Sequence, residues 1–171
     1  KPQLIAIVGG SGSGKTRLAD QLQRRLGRAA GRLSLDDFYR DRSHLALTRR
    51  RRVNFDHPRA IDWELFTRVL RNCSEGRTVR LPRYDFASHS RSKKLVTWKP
   101  TPLVIIDGLW LLRRPALRRI FALRVFLDCS QRLRFERRLE RDIAFRERTR
   151  KSVRHQFFQM TAPMHDRYVQ P

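Results

Sequence analysis

One eight-residue segment near the start of the chain restricts the fold more than any other feature of the sequence. Residues Gly9–Thr16 match the pattern G-x-x-x-x-G-K-[ST] without a mismatch, and the apolar run Leu4–Val8 comes directly before them. In this pattern a strand enters a glycine-rich turn and a helix leaves it, so that backbone N–H groups converge on phosphate oxygens. The segment therefore predicts a phosphate-binding loop, or P-loop, between a first strand and a first helix.

Each residue type in this loop suits the binding of a nucleoside triphosphate. The glycines allow a tight turn, and the N-terminus of the helix that follows adds partial positive charge. We expect the Lys15 ammonium to reach the β- and γ-phosphates and the Thr16 hydroxyl to bind Mg²⁺. An accidental Gly/Ser turn is the alternative, and the flanking strand and helix argue against it. The predicted nucleotide-binding residues are Gly9, Gly10, Ser11, Gly12, Ser13, Gly14, Lys15 and Thr16.

The rest of the chain alternates short apolar runs with helical stretches, which predicts an α/β fold with a mainly parallel sheet flanked by helices. A length of 171 residues with 40% apolar content predicts one domain over residues 1–171. Within it we expect a small β-hairpin excursion at about 77–100 and an arginine-rich helical lid at about 137–155. The other predicted elements are strands at Arg32–Leu35, Leu103–Ile106 and Arg124–Leu127, helices at Thr16–Leu26 and from Asp62 to Cys73, a helix capped by Ser130, and a last helix within Ser152–Val169 disturbed at Pro163.

Composition limits the partners of the chain more than its fold. Lys and Arg total 39 against 16 acidic residues, and the net charge of +23 attracts polyanions such as nucleotides, nucleic acids and acidic lipids. This surplus is either a compositional bias toward arginine or a nucleic-acid surface, and the block Arg49–Arg52 is either a solvated loop or a small polyanion patch. We find no nucleic-acid recognition motif and do not expect a nucleic-acid partner.

Two further features bear on the compartment of the protein. No apolar run reaches the ~18–20 residues that a membrane span needs, so no membrane association is expected. Cys73 and Cys129 have neither metal-binding nor redox spacing, which is typical of isolated thiols in a reducing compartment. The sequence therefore predicts a cytoplasmic protein.

Aspartates follow several predicted strands. Because ligands of an open α/β sheet bind beyond the carboxyl ends of its strands, these acids are candidates for an active site. Asp107 is a candidate Mg²⁺ ligand acting through water, and Asp36 is a candidate base for the proton of an acceptor hydroxyl. Thr16, Asp36 and Asp107 form the predicted metal site. Each aspartate has an alternative role as a helix cap or turn residue, and Asp128 is expected to be structural.

Four further segments carry a more specific pattern than the P-loop. They are Asp36–Tyr39, Asn54–Pro58, Pro82–Arg91 and Arg137–Asp142. In this order, and together with the P-loop, they resemble the uridine (uridine–cytidine) kinase branch of the phosphoribulokinase/uridine kinase family over nearly the whole chain. The P-loop alone would indicate an NTPase, whereas Asn-Phe-Asp-His-Pro and Tyr-Asp-Phe-x-x-His-Ser-Arg favour the nucleoside branch.

The resemblance implies an ATP-dependent kinase that transfers the γ-phosphate to the 5′-hydroxyl of uridine or cytidine. It implies that Asp36 is the base, that Asp56 accepts hydrogen bonds from ribose hydroxyls, and that His89 meets the 4-position of the pyrimidine. An ionised carboxylate can accept two hydroxyl donors, and an imidazole donates or accepts according to its tautomer. The remaining implied substrate-binding residues are Tyr84, Phe86, Arg138, Arg148 and Gln156. The implied lid arginines, which act with Lys15 on the phosphates during catalysis, are Arg141 and Arg146.

Without the resemblance, the same residues have simpler interpretations. Tyr84 and Phe86 would be core residues of a hairpin, His89 a surface histidine, and the arginines of 137–154 one solvated helix face. Two other functions stay open: a kinase of the same family that acts on another small alcohol, and a nucleic-acid-binding NTPase. The expected partners are ATP and a small-molecule nucleoside, and a homo-oligomer is left open.

The sequence departs from the family pattern at several positions. Asp107 stands where the family usually has glutamate, Asp37 replaces a small polar residue, and Glu147 occupies a lid position that is usually glycine. Residue Pro171 falls where the family continues into a final strand and a loop near adenine. These departures bear on Mg²⁺ binding, on the charge beside the base and on the stiffness of the lid, so the reaction class is better defined than the choice of nucleoside.

Overall fold

The computed structural model describes residues 1–50, 52–146 and 148–170, and its main sheet has four parallel strands. The strands are β1 (Gln3–Gly9), β2 (Ala30–Ser34), β3 (Val79–Leu81), β4 (Tyr84–Asp85), β5 (Ser90–Arg91), β6 (Val96–Trp98), β7 (Leu103–Gly108) and β8 (Leu123–Leu127). The main sheet has the order β2-β7-β1-β8, and its three pairings are all parallel. The carboxyl ends of these strands therefore share one edge of the sheet, as the sequence predicted.

Helices flank this sheet and connect its strands. They are α1 (Lys15–Leu26), α2 (Leu47–Arg50), α3 (Trp63–Ser74), α4 (Pro115–Arg118), α5 (Gln131–Arg146), α6 (Arg150–Gln156) and α7 (Ala162–Tyr168). Two predicted caps are confirmed: Asp62 accepts a hydrogen bond from the Leu65 amide at 3.1 Å, and Ser130 accepts one from the Leu133 amide at 3.4 Å. Among the described residues, no helix combines the length and apolarity that crossing a bilayer requires.

The excursion between α3 and β7 contains two short antiparallel pairs. Strand β3 pairs with β6, and β4 pairs with β5 so that Tyr84 lies opposite Arg91. This agrees with the hairpin that the sequence predicted and places the Tyr84–Arg91 segment at the carboxyl edge of the main sheet. A hydrogen bond of 3.3 Å from the Tyr84 amide to Asp37 Oδ1 fixes that placement.

The two central strands bury side chains on both faces of the main sheet. Their alternation divides them between two apolar clusters, because successive strand residues point to opposite faces. One cluster contains Leu4, Ala6, Val8, Val104 and Ile106, and the other contains Ile7, Ala19, Ala30 and Ile105. Since apolar burial stabilises a side chain of this size by about 1.5–3 kcal/mol, β1 and β7 are firm supports for the loops at their carboxyl ends.

Two predicted boundaries are wrong in detail. Strand β2 ends at Ser34 rather than Leu35, because a 3₁₀ turn begins at Leu35 and the Ser34 hydroxyl accepts a hydrogen bond from the Asp36 amide at 3.3 Å. The last helix is disturbed before Pro163 rather than at it, since residues Phe157–Thr161 form a π-helical turn. A proline has no N–H to donate to the preceding turn, and the wider turn accommodates it in the first turn of α7.

Candidate active site

The P-loop is shaped by its main chain. Strand β1 ends at Gly9, helix α1 begins at Lys15, and Gly14 at the helix start has a φ of 98°. Gly12 has a φ of 85°, and a Cβ on it would lie 2.3 Å from the backbone oxygen of Arg134. Only glycine fits there, both because of its φ and because α5 approaches so closely. The predicted strand–loop–helix arrangement is therefore present.

Two side chains at the start of α1 face the carboxyl edge of the sheet. Lys15 Nζ donates to the Gly10 carbonyl at 2.9 Å, and Thr16 Oγ1 donates to Asp107 Oδ2 at 3.0 Å. Burial lowers the pKa of the Lys15 ammonium, while the carboxylates of Asp36 and Asp107 oppose that change. A partly buried cation whose charged form is disfavoured gains from a further anionic partner, which a phosphate would supply.

Asp36 lies in the 3₁₀ turn that follows β2, and its side chain lines the same cleft as Lys15. Burial raises the pKa of the Asp36 carboxyl; Lys15 opposes the rise and Asp107 adds to it. Asp107 is the penultimate residue of β7, and its register partners are Ile7 and Ser34. A carboxylate with a raised pKa beside a phosphate loop is suited to accept a proton from a bound hydroxyl.

The oxygen atoms of this edge fit Mg²⁺. Thr16 and Asp107 already approach within 3.0 Å, and Asp36 lies in the same cleft. Within the described ranges, however, no group of three or more His, Cys, Asp or Glu side chains could hold a metal ion unaided. Mg²⁺ in phosphate sites commonly takes one or two protein oxygens and completes its shell with substrate phosphates and water. The donor set therefore suits a metal that arrives with a nucleotide.

Arg32 belongs to the candidate site and was not predicted from the sequence. Its Nε and Nη2 atoms donate to Asp107 Oδ1 at 3.0 and 2.9 Å, and its Nη1 pairs with Asp20 on α1 at 2.5 Å. The alternation of side chains along a strand could have indicated it, because Arg32 and Ser34 point to the same face of β2. Ser34 is the register partner of Asp107, the candidate Mg²⁺ ligand on β7. One oxygen of Asp107 is thus held by a guanidinium while the other faces Thr16.

A cleft of about 1070 Å³ opens above these residues. Its size suits a nucleotide, since ligand pockets are commonly about 300–1,000 Å³. Of the predicted site residues it is lined by Gly12, Gly14, Lys15, Thr16, Asp36, Phe86, Arg141 and Arg146. Among the described residues, Asp56, Tyr84 and His89 do not line it. The structure therefore separates an open donor region from acceptor candidates that lie behind it.

Asp56 lies at the centre of a buried polar cluster. Arg138 donates to both of its carboxylate oxygens, at 3.2 and 3.4 Å, and Thr161 Oγ1 donates to it at 2.9 Å. Arg138 also donates to Ser11 in the P-loop at 3.1 Å and to Gln156 at 3.2 Å, and Arg148 donates to the same Gln156 oxygen. The four predicted residues Asp56, Arg138, Arg148 and Gln156 are thus brought together, and Thr161 is an unpredicted member.

The predicted pyrimidine-binding residues form an aromatic cluster with Tyr39 and Phe55. His89 stacks on Phe55 with ring centroids 4.9 Å apart, and Tyr84 contacts Phe86 at 5.3 Å. His89 is not the surface histidine of the simpler interpretation: it is 9% exposed and has a φ of 49°, in the left-handed region. Left-handed backbone at a bulky residue carries strain that is often retained at functional sites.

Tyr84 has both the features of a core residue and those of a site residue. It is 8% exposed and belongs to the main apolar cluster, and burial raises its pKa to about 12. Yet its hydroxyl is buried without a hydrogen-bond partner among the described residues. A buried hydroxyl without a partner is unfavourable, so a ligand atom that accepted from it would restore the lost interaction.

The lid arginines converge on Asp142, which the sequence analysis assigned no role. Asp142 is fully buried; Arg141 donates to its Oδ1 at 2.9 Å, and Arg146 approaches the same oxygen at 3.5 Å. The Arg146 guanidinium also lies 4.6 Å from the centre of the Phe86 ring, a cation–π distance. Both predicted lid arginines also line the cleft. Glu147, where the family pattern has glycine, lies outside the described residues.

Asp37, the departure from the family pattern beside the candidate base Asp36, joins the excursion to the 3₁₀ turn. Its Oδ2 accepts from Arg83 at 3.1 Å and its Oδ1 from the Tyr84 amide. Burial raises its pKa, and both of these hydrogen bonds oppose the rise. The extra acid therefore positions the Tyr84 strand next to Asp36.

Comparison with known proteins agrees with the predicted fold and family resemblance. Residues 4–171 match the model of the phosphoribulokinase/uridine kinase family. A uridine kinase from Macrococcus caseolyticus is 36% identical over 172 residues, which is 100% of this chain and 84% of the relative. A solved structure of a possible uridine kinase from Bacillus stearothermophilus is 25% identical with a TM-score of 0.61, over 90% of this chain and 85% of its own. An enzyme from Silicibacter sp. TM1040, described provisionally as a fructose transport system kinase, shares the fold with a TM-score of 0.81 at 21% identity, over 99% and 87% of the two chains.

Proposed function

This chain belongs to the phosphoribulokinase/uridine kinase family, and from that membership we propose that it is an ATP-dependent nucleoside kinase. It transfers the γ-phosphoryl group of ATP to the 5′-hydroxyl of uridine or cytidine. The observation that carries the proposal is the shared cleft: Asp36, Lys15 and the lid arginines Arg141 and Arg146 all line the cavity above the P-loop. A base, a phosphate ligand and transition-state cations thus face one space.

The donor is bound at the P-loop end of the cleft. Main-chain N–H groups of the loop hold the phosphates, and Lys15 exchanges its contact with the Gly10 carbonyl for phosphate oxygens. Arg141 and Arg146 approach from α5 and offset the charge that develops on the transferring group. The arginines also exclude water when the lid closes, which limits hydrolysis of ATP.

Mg²⁺ is the proposed cofactor. Thr16 and Asp107 would hold it together with the phosphates, with Asp36 beside them, and when bound it neutralises phosphate charge. Arg32 holds one oxygen of Asp107, so the carboxylate presents its other oxygen in a fixed direction. This arrangement compensates for the shorter side chain that stands where the family usually has glutamate.

The acceptor is bound on the side of Asp36 that faces the excursion. Asp36 takes the proton of the 5′-hydroxyl while that oxygen bonds to the γ-phosphorus and the bond to the β-phosphate oxygen breaks, so that ADP leaves. Asp56 and Arg138 bind the ribose hydroxyls, assisted by Arg148 and Gln156. Tyr84, Phe86 and His89 contact the pyrimidine. Because His89 and Tyr84 pack on Phe55 and Tyr84 also packs on Phe86, the pyrimidine must separate these rings to enter.

The working compartment of the enzyme is a further part of the proposal. Cys73 and Cys129 are both free thiols, and burial raises the pKa of Cys73 to about 12, which keeps it protonated and inert. Free thiols are typical of a reducing compartment, and we place the enzyme in the cytoplasm on that ground.

An acceptor panel tests the proposed function. ADP release from Mg-ATP is measured with uridine, cytidine, purine nucleosides, sugar phosphates and small alcohols, for the natural chain and for Asp36→Asn. We expect uridine and cytidine to give rates well above the acceptor-free rate, and Asp36→Asn to remove that increase. Release that no nucleoside stimulates, or that Asp36→Asn leaves unchanged, would overturn the proposal.

A further inference from the structure

We propose that Asp142 is a positioning residue that makes the grip of the lid on ATP depend on the acceptor. The inference rests on the proposed function. Asp142 is fully buried at the centre of three guanidinium groups. Its Oδ1 accepts from Arg141 Nε at 2.9 Å and lies 3.5 Å from Arg146 Nη1, and its Oδ2 lies 3.5 Å from Arg138 Nε.

The spacing on α5 explains how one carboxylate meets three arginines. Arg138 and Arg146 stand four residues before and after Asp142, so both lie on its face of the helix, and Arg141 is its neighbour in sequence. Asp142 and Asp56, the buried partner of Arg138, together bring two negative charges to the three positive charges of these arginines. Burial lowers the pKa of Arg146, and the nearby Arg141 lowers it further. The cluster therefore keeps a net positive charge that a further anion, such as a triphosphate, can offset.

Arg138 links this cluster to the acceptor residues. Its Nη1 and Nη2 atoms are engaged by Asp56, Ser11 and Gln156. Its Nε is the atom that faces Asp142, at a separation too long for a hydrogen bond. Both Nε and Asp142 Oδ2 are buried and lack a hydrogen-bond partner within the described residues. A shift of well under 1 Å would join them, and the hold of Asp56 on Arg138 opposes that shift.

Acceptor binding changes the partners of Asp56. Ribose hydroxyls that donate to Asp56 take the place of the Arg138 contacts at 3.2 and 3.4 Å. Arg138 then moves its Nε onto Asp142, whose carboxylate is satisfied by this one arginine. Arg141 and Arg146 leave Asp142 for the phosphates of ATP. The lid thus engages the donor fully only when an acceptor is present, and an acceptor-free enzyme does not commit ATP to reaction with water.

A binding measurement tests this coupling without turnover. The affinity of the β,γ-imido analogue of Mg-ATP is measured by calorimetry with and without saturating uridine. The proteins are the natural chain, Asp142→Asn, and Glu140→Gln as an exposed acid on the same helix. We expect uridine to tighten analogue binding at least about fivefold in the natural chain and in Glu140→Gln, within the usual range for coupled sites. Asp142→Asn should bind the analogue tightly without uridine and respond to it by less than about twofold.

A second ligand makes the test independent of whether the variant folds. 2′,3′-Dideoxyuridine keeps the 5′-hydroxyl and the base but lacks the hydroxyls for Asp56, so in the natural chain it should leave analogue binding unchanged. Equal tightening by dideoxyuridine and uridine, or an unchanged uridine effect in Asp142→Asn, would overturn the coupling alone. If uridine is not phosphorylated by the natural chain at all, the proposed function fails first and the coupling fails with it.

Discussion

The proposed donor end of the site, at the P-loop cleft, and the proposed acceptor end, behind that cleft, are constructed differently. The donor end is made by the main chain at strand ends: Gly12 and Gly14 have left-handed φ values, and β1 and β7 are buried on both faces. The acceptor end is made by side chains from four distant segments, and these side chains bind one another in the free protein, as the Asp56–Arg138 pair and the Phe55–His89 stack show. The donor end is prearranged, whereas the acceptor end must exchange partners when it binds a ligand.

This difference predicts how each end responds to change. A loop held by backbone geometry tolerates little substitution but does not depend on the ligand for its shape. A pocket held by a buried ion pair loses stability when one partner is removed, because the other charge is left buried without compensation. Variants that remove a reactive side chain beside the P-loop should therefore reduce turnover. Variants at the acceptor end should change both the affinity for the acceptor and the stability of the protein.

The largest expected effect is the loss of turnover in Asp36→Asn. An amide cannot take the proton of the acceptor, so kcat should fall by about 10²–10⁴-fold while the KM of ATP changes little. Steady-state kinetics with uridine measures this. Asp37→Asn is the matched control, because its neighbouring carboxylate binds Arg83 and the Tyr84 amide rather than an acceptor. If kcat fell by a comparable factor in Asp37→Asn, the assignment of Asp36 as the base would be wrong.

The next largest effect is expected for Asp56→Asn. A hydrogen bond to a charged group contributes about 1.5–3 kcal/mol, so the KM of uridine should rise roughly 10- to 100-fold, with a smaller change in kcat. The midpoint of thermal unfolding should also fall, because Arg138 loses its buried partner. Asp85→Asn, at an exposed acid of the excursion between α3 and β7, is the control. If the KM of ATP rose while the KM of uridine stayed unchanged, Asp56 would contribute to donor binding and not to acceptor binding.

The pH dependence of kcat should be intermediate in size. Because burial raises the pKa of Asp36, kcat should begin to fall at a higher pH than an ordinary aspartate allows, by about tenfold per pH unit below that pKa. The same group affects stability. Because the pKa of Asp36 is higher in the folded than in the unfolded chain, its contribution to stability is fully present below the unfolded-state pKa. That contribution is lost as pH rises through the folded-state pKa. Asp36→Asn should therefore unfold at a higher temperature than the natural chain at neutral pH, and at the same temperature in acid. An equal or lower unfolding temperature at neutral pH would contradict the raised pKa.

The smallest effect is expected for Tyr84→Phe. Its hydroxyl is buried without a described partner, so its removal should leave the unfolding temperature unchanged or slightly higher. If the hydroxyl donates to the bound pyrimidine, the KM of uridine should still rise several-fold. Thermal unfolding and kinetics on the same preparation separate the two. If stability fell and the KM of uridine did not change, the role of Tyr84 would be purely structural.

The same contrast explains how far the sequence could be interpreted. The P-loop and Asp107 were predictable because their signals are local: a spacing of glycines, or an acid directly after a buried strand. The acceptor residues came only from resemblance, since the contact between Asp56 and Arg138 spans 82 positions. Arg32, Asp142 and Thr161 were missed because the role of each depends on a partner that folding brings near, not on its own neighbours in sequence. The assignment of the acceptor residues to a substrate stays a prediction.

The most direct test is the identity of the product. The chain is incubated with Mg-ATP and uridine, and the nucleoside product is examined by mass spectrometry. NMR coupling between phosphorus and the ribose protons then identifies the phosphorylated oxygen. The account predicts uridine phosphorylated at its 5′-oxygen in a 1:1 ratio to ADP, with none formed by Asp36→Asn. ADP without a phosphorylated nucleoside, or a phosphate at another ribose oxygen, would contradict it.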